Sequence, residues 1–303
     1  RTMSRLLLLT LALCLAPADT AHADAARAQL AQPARVLRYA FPAAETGFDP
    51  AQVTDLYSNT VIANILEAPL EYEYLAQPVR VRPNTAVALP VVSTDYMHFV
   101  FHIRSGIFFA ADPAFKGARR ELTAADFVYA IKRHYDPRWK SGKLYQFETE
   151  KILGLSELRA ETIAQKKPFD YDREVPGLRT LDRYRFELRL AQPSPRFHQL
   201  FTDPALTGAV AREVVEFYGE RITEHPVGTG PFVLAQWRRS SRIVLERNPG
   251  YREQRYNERP APDDARRTRI ARALNGRLMP MVDRVEISII EEPQPRWLSF
   301  LNE

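Results

Sequence analysis

Cysteine is all but missing from this sequence: there is one, Cys14, in 303 residues. Past that residue the chain cannot build a disulfide framework, a thiolate metal site or a cysteine nucleophile. Lysine is scarce too, at seven residues, so 35 of the 42 basic side chains are arginine. Arginine forks match phosphate geometry, but 37 acids accompany them, and the bias reads as general arginine usage on a solvated surface. Only six histidines occur, and the one short-spaced pair, His98 and His102, would share a face of an alternating strand. Without a third ligand nearby that pair is expected to be solvated, and no metal or other cofactor is expected. No Walker loop, dinucleotide Gly-x-Gly-x-x-Gly, His-Glu-x-x-His or Gly-x-Ser-x-Gly motif is present. No apolar run reaches the roughly 20 residues that cross a bilayer.

What is present describes a soluble, globular chain: 45% of residues are hydrophobic and 26% charged, with a net charge of +5. The length suffices for two domains. Met3-Ser4-Arg5, the apolar run Leu6 to Ala16 and the small-x-small tripeptide Ala21-His22-Ala23 have the form of a secretory signal peptide over residues 1–23. Translation from Met3, cleavage after Ala23 and a mature chain beginning near Asp24 in the periplasm are the expectations. A lipoprotein box ending at Cys14 is set aside because Leu13 is not small.

The most informative stretch is His225-Pro226-Val227-Gly228-Thr229-Gly230-Pro231-Phe232, followed by Trp237 and by Ile243-Val244-Leu245-Glu246-Arg247-Asn248-Pro249-Gly250-Tyr251. Phe232–Leu234 and Ile243–Leu245 flank a polar segment and read as paired strands of a hairpin. The glycines permit close backbone approach, and Pro231 suits a strand's first residue because it has no N–H to donate. Upstream, Val36–Phe41 reads as a strand that ends in Phe48-Asp49-Pro50, and apolar spacing from Val53 to Leu66 predicts a helix leading into Glu67-Ala68-Pro69-Leu70. Thr123 and Asp126 form a capping-box pattern for a helix that stops at Asp136-Pro137, where the acid in the first turn is read as stabilising the dipole. Residues 179–190 alternate like a half-buried hairpin strand, Arg196–Phe201 begins a helix, and Met281–Ile290 is a strand. Arg252–Arg277 is dense in Arg, Asp and Pro, with a basic helix around Ala265–Leu274 that reads as a solvated insertion.

The Gly-Thr-Gly-Pro-Phe run, the Phe-Asp-Pro turn, the Glu-Ala-Pro-Leu segment and Leu122-Thr123-Ala124-Ala125-Asp126-Phe127-Val128 together resemble the peptide- and nickel-binding family of periplasmic solute-binding proteins. The loop Ala110–Gly117 departs from the family's common pattern and resembles one subgroup of peptide- and microcin-uptake receptors. The resemblance implies an α/β, Venus-flytrap fold of the type II periplasmic binding proteins. In it, residues 24–47 and 177–280 form the main subdomain of the first lobe, 48–176 an inserted subdomain, and 281–303 the start of a largely missing second lobe. It implies a non-enzymatic, monomeric receptor of an ABC importer that passes peptides or peptide-like compounds to an inner-membrane permease, without nucleic acid as a partner. Candidate ligand contacts are Ala44, Glu45, Thr46, Tyr145, Gln146, Gly228 and Thr229, since strand-end turns line the cleft in such sheets. An exported hydrolase is the alternative, and a nucleic-acid adaptor acting through Arg266–Arg277 is a weaker one. With the second lobe missing, strand Val285–Ile290 and the apolar Trp297, Leu298, Phe300 and Leu301 are expected to lack partners, giving feeble binding and aggregation.

Overall fold

Two four-stranded sheets organise the chain in the computed structural model, which describes residues 34–302. The expected signal peptide lies outside the described residues. Residues 35–302 form one compact unit. In chain order the strands are β1 (Val36–Phe41), β2 (Leu70–Tyr72), β3 (Val81–Pro83), β4 (Val91–Val92), β5 (His98–His102), β6 (Leu178–Asp182), β7 (Arg185–Arg189), β8 (Phe232–Arg238), β9 (Arg242–Arg247), β10 (Gln254–Arg255), β11 (Leu278–Met279) and β12 (Arg284–Ile289). The helices are α1 (Leu56–Ile65), α2 (Ala124–Tyr135), α3 (Leu144–Glu150), α4 (Leu155–Gln165), α5 (Pro204–Thr207), α6 (Arg212–Tyr218), α7 (Ala265–Leu274) and α8 (Pro293–Asn302). None among the described residues is long and apolar enough to cross a membrane.

The first sheet has the order β1-β12-β9-β8. β8 and β9 are the hairpin that the apolar runs predict, and β12 lies parallel to β1, with Val36 opposite Arg284 and Phe41 opposite Ile289. This corrects the expectation that residues from 281 onward open a second lobe. Ile287 needs apolar cover, and an interior position between β1 and β9 gives the strand a hydrogen-bonding edge on each side. Ile243, Leu245 and Ile287 share the buried face. The opposite face places Arg242 and Arg284 around Glu286, at 3.0 and 2.9 Å. Helix α8 follows this sheet and exposes Trp297, Leu298, Phe300 and Leu301 as the sequence leads one to expect.

The second sheet, β4-β5-β7-β6, is antiparallel. Residues 179–190 are not one strand but two. The chain folds back at Arg183–Tyr184, where Asp182 Oδ1 accepts the amides of Tyr184 and Arg185, each at 2.9 Å. Because β6 and β7 pair with β5, the inserted subdomain cannot end at residue 176, and its sheet runs on to Arg189. Alternation turns Phe99, Phe101, Phe186 and Leu188 inward, and Phe127 of α2 stacks on Phe186, 5.6 Å between centroids. The two sheets share one continuous core.

Helix α2 begins as its sequence specifies: Thr123 and Asp126 form a reciprocal capping box, and the carboxylate also receives the Arg120 fork. At its far end Arg133 is fully buried and makes a bidentate ion pair with Asp49, at 2.6 and 2.9 Å. That pair bolts the Phe48-Asp49-Pro50 turn to the second sheet's helix.

Candidate functional site

Ligands of open α/β sheets gather beyond the carboxyl ends of the parallel strands. Here those ends are Phe41 and Ile289, and the tip of the β8–β9 hairpin lies beside them, with Ile289 N donating to Ser241 O and Ile290 N to Phe41 O, both 2.9 Å. The turn that leaves β1 carries Glu45 into this corner. Its Oε1 accepts Trp237 Nε1 at 2.6 Å and the Ser240 amide at 2.9 Å. Its Oε2 is buried with no hydrogen-bond partner among the described residues. A buried carboxylate oxygen without a donor is costly, so this one calls for an explanation.

The next residue extends the same edge. Thr46 is exposed, its hydroxyl donates to Asp55 Oδ2 at 2.6 Å and its amide to Ser58 Oγ at 2.9 Å. Asp55 is the N-cap of α1, accepting the Ser58 amide at 2.8 Å. Partial burial pushes the Asp55 carboxyl up, but the Ser58 amide and the Thr46 hydroxyl outweigh it and hold the group below the usual carboxylate range. Glu45 and, through Thr46, Asp55 thus place two carboxylates along the turn that leaves β1, and carboxylates accept from N–H and ammonium donors.

The structure brings the segment of Tyr145 and Gln146 to the same helix end. A Cβ on Gly142 would meet Thr54 Cγ2 at 2.6 Å, and Lys143 Nζ donates to Asn59 Oδ1 at 2.8 Å. Tyr145 presents its ring to solvent, at 65% exposure, and Gln146 is half-buried. Ala44 is half-buried between β1 and Glu45.

Gly228 and Thr229 are a correction. Both are buried, and a Cβ at Gly228 would lie 2.0 Å from the Ile65 carbonyl oxygen. The Gly230 amide donates to that same carbonyl at 2.9 Å, closing off the end of α1. The Thr229 hydroxyl donates to Glu67 Oε2 at 2.9 Å, and Glu67 also takes the Arg252 fork, at 2.6 and 2.8 Å. Asn248 Nδ2 donates to the Gly230 carbonyl at 2.9 Å. The longest motif in the sequence is thus a joint among α1, β8 and the segment after β9, with its polar groups consumed inside the protein. The reading missed Trp237 as a partner of Glu45, and it missed Asp55, whose signal was an Asx residue at the start of the apolar period.

The pair His98 and His102 does share a face, but His98 Nε2 sits 2.7 Å from Glu187 Oε2, and no group of three or more His, Cys, Asp or Glu able to hold a metal occurs among the described residues. Beside the strand ends, the polar face of the first sheet and α8 enclose a groove of about 790 Å³ lined in part by Ala40, Arg242, Ser288, Trp297 and Phe300.

The sheet order, its parallel pair and the inserted second sheet define the class: this is the fold of the OppA-type periplasmic binding proteins. The crystal structure of Haemophilus influenzae OppA in complex with RPPGFSPFR superposes with a TM-score of 0.67 at 20% identity, over 89% of this chain and 45% of that one. Helicobacter pylori DppA in complex with the peptide STSA gives 0.63 at 19% identity, over 88% and 45%. In sequence, the periplasmic oligopeptide-binding protein OppA of Salmonella typhimurium is 28% identical over 205 residues, covering 67% of this chain and 34% of that protein. The Escherichia coli protein of the same name is 33% identical over 132 residues, 43% of this chain and 23% of that one. The family model of the bacterial extracellular solute-binding proteins, family 5, matches residues 80–303. The chain belongs to that family, and it spans about a third of the length of the Salmonella relative. The family is made up of substrate-binding proteins rather than enzymes.

Proposed function

We propose that this chain contributes the first lobe of an extracytoplasmic receptor that binds peptides or peptide-like compounds and hands them to an inner-membrane ABC permease. The observation that carries the reading is the buried, half-satisfied Glu45 carboxylate at the carboxyl end of the parallel strands. Its unpaired oxygen is shielded from solvent in this structure and becomes an acceptor for a peptide's N–H groups or a ligand ammonium when the edge turn moves aside, and Thr46, Tyr145 and Gln146 are the flanking contacts. Membership of family 5 and the peptide-binding relatives support the same conclusion. A cleavable leader and a periplasmic location belong to this reading as well.

Trp237 touches Glu45 and so makes a built-in reporter. A peptide mixture is added to the protein, retained species are identified by mass spectrometry, and affinity is followed through tryptophan fluorescence. Uncleaved, retained peptides are the expected outcome. Glu45→Gln preserves shape but removes charge, and a charge-assisted hydrogen bond contributes about 1.5–3 kcal/mol, so affinity should fall roughly 10- to 100-fold. Steady cleavage would return the hydrolase reading, and unchanged affinity in Glu45→Gln would remove Glu45 from the site.

A further inference from the structure

Between the end of β9 and the start of β12 the chain makes an excursion that the binding site does not use. Residues 252–277 hold eight arginines and four acids, which is four of the five units of net positive charge in the whole sequence. The excursion is firmly seated on the β2–β3 hairpin. Glu258 is buried, accepts the Leu75 amide at 3.0 Å and pairs with Arg82 at 2.9 Å, while Arg80 donates to the Arg259 carbonyl at 3.0 Å. Asn275 closes the far side by exchanging hydrogen bonds with the Glu258 backbone, at 2.9 and 3.0 Å.

Helix α7 rides on this base with Ala271 buried beneath it and Arg266, Arg269 and Arg272 exposed, one per turn along a single face. Arg252, Arg255 and Arg267 have acidic partners at 2.6 Å. Arg266, Arg269, Arg272 and the exposed Arg277 have none among the described residues. The rest of the exposed face is Ala265 and Ala273. It carries no aromatic ring on which a nucleobase could stack, and nothing that can serve as the aromatic or aliphatic anchor that a protein interface buries at its centre. A row of uncompensated guanidinium groups on a rigid, otherwise featureless face complements a flat array of phosphates.

We infer that α7 is a docking surface for a membrane bearing anionic phospholipid headgroups. The position fits that use. The excursion leaves β9 and returns to β12 at the end of the sheet opposite Glu45, so a length of strand of about 17–20 Å separates the two. A protein resting on α7 keeps its ligand edge uncovered.

The test is flotation of the protein with vesicles of phosphatidylcholine and phosphatidylglycerol, beside vesicles of phosphatidylcholine alone, at low and at elevated salt. Binding is expected only to the anionic vesicles and should weaken as salt rises. Each basic residue near an anionic surface contributes about a fivefold gain in partitioning, so Arg266→Gln/Arg269→Gln/Arg272→Gln should lower it on the order of a hundredfold. A control variant, Arg183→Gln/Arg185→Gln, removes two exposed arginines of the second sheet and should leave binding close to that of the parent. Equal loss in both variants, equal binding to neutral vesicles, or tighter binding to a mixed-sequence oligonucleotide than to the anionic vesicles would each overturn the inference. Circular dichroism of the triple variant confirms that lost binding is not lost folding.

Discussion

The ion pair between Asp49 and Arg133 is the most consequential single contact below the ligand edge. Both residues are about 1% exposed, the fork closes at 2.6 and 2.9 Å, and the guanidinium lies 4.4 Å from the Trp139 ring centroid. Burial disfavours the charged form of Arg133, but Asp49 outweighs it and raises the group above its ordinary range. Replacing Asp49 by Asn keeps the volume and leaves a buried cation without its counter-charge. Breaking a buried pair in this way costs about 3–5 kcal/mol, against a total stability of about 5–15 kcal/mol for a domain. Urea denaturation of Asp49→Asn should therefore show a large fall in midpoint. The second half of the reasoning is stricter. Because desolvation consumes most of the attraction, Asp49→Leu/Arg133→Met should recover much of the loss, and the cycle completed by the singles Asp49→Leu and Arg133→Met should show a coupling energy of at least about 3 kcal/mol. A single substitution that costs less than about 1 kcal/mol, or a double variant as damaged as the two singles combined, would refute the account. Peptide affinity is informative too, since the pair fixes the turn directly after Glu45 and Thr46.

Gly228→Ala should cost about 3 kcal/mol or more, because the added methyl would meet a backbone carbonyl rather than a flexible side chain, and a thermal melt reads it. His134 is buried between Ser141 and the Leu206 carbonyl, and burial, aided by the charge of Lys143, pushes it down to about 3. Its folded value is thus below its unfolded value of about 6.5, so the stability it contributes is complete above that value and is lost as pH falls toward 3, at up to about 1.4 kcal/mol per unit. Urea midpoints at neutral and mildly acidic pH should diverge in the parent and converge in His134→Gln; equal slopes in both would contradict this. Lys166 ends α4 at a φ of 53°, a left-handed conformation that costs an L-residue about 1–2 kcal/mol. Lys166→Gly removes that cost while loosening the unfolded chain, for a net gain of about 0.5–1 kcal/mol in a chemical melt.

The local features came straight from local chemistry. The Thr123–Asp126 capping box, the Asp136-Pro137 stop and the β8–β9 hairpin each depend on residues within a few positions of one another, so a linear reading finds them. The strand-end turn that carries Glu45 was also legible as a turn. The partners of Glu45 were not: Trp237 and Ser240 stand 192 and 195 positions away. The Gly228-Thr229-Gly230 run misled in the opposite direction. It is the most distinctive stretch of the sequence, yet its distinctiveness answers to the Ile65 carbonyl and to Glu67 rather than to a ligand.

By itself the sequence determined the family, the periodicity and ends of the longer elements, and which residue types stand at the turns, because these rest on spacing and on interactions between near neighbours. Tertiary structure decided which edges pair and what each buried polar group meets. It placed β12 inside the first sheet instead of at the head of another lobe, and it folded residues 179–190 into two strands around Asp182. It also left one oxygen of Glu45 without a donor among the described residues. Those outcomes turn on backbone edges and side chains that are distant in the chain, and burial assigns their partners only once the core has closed around them.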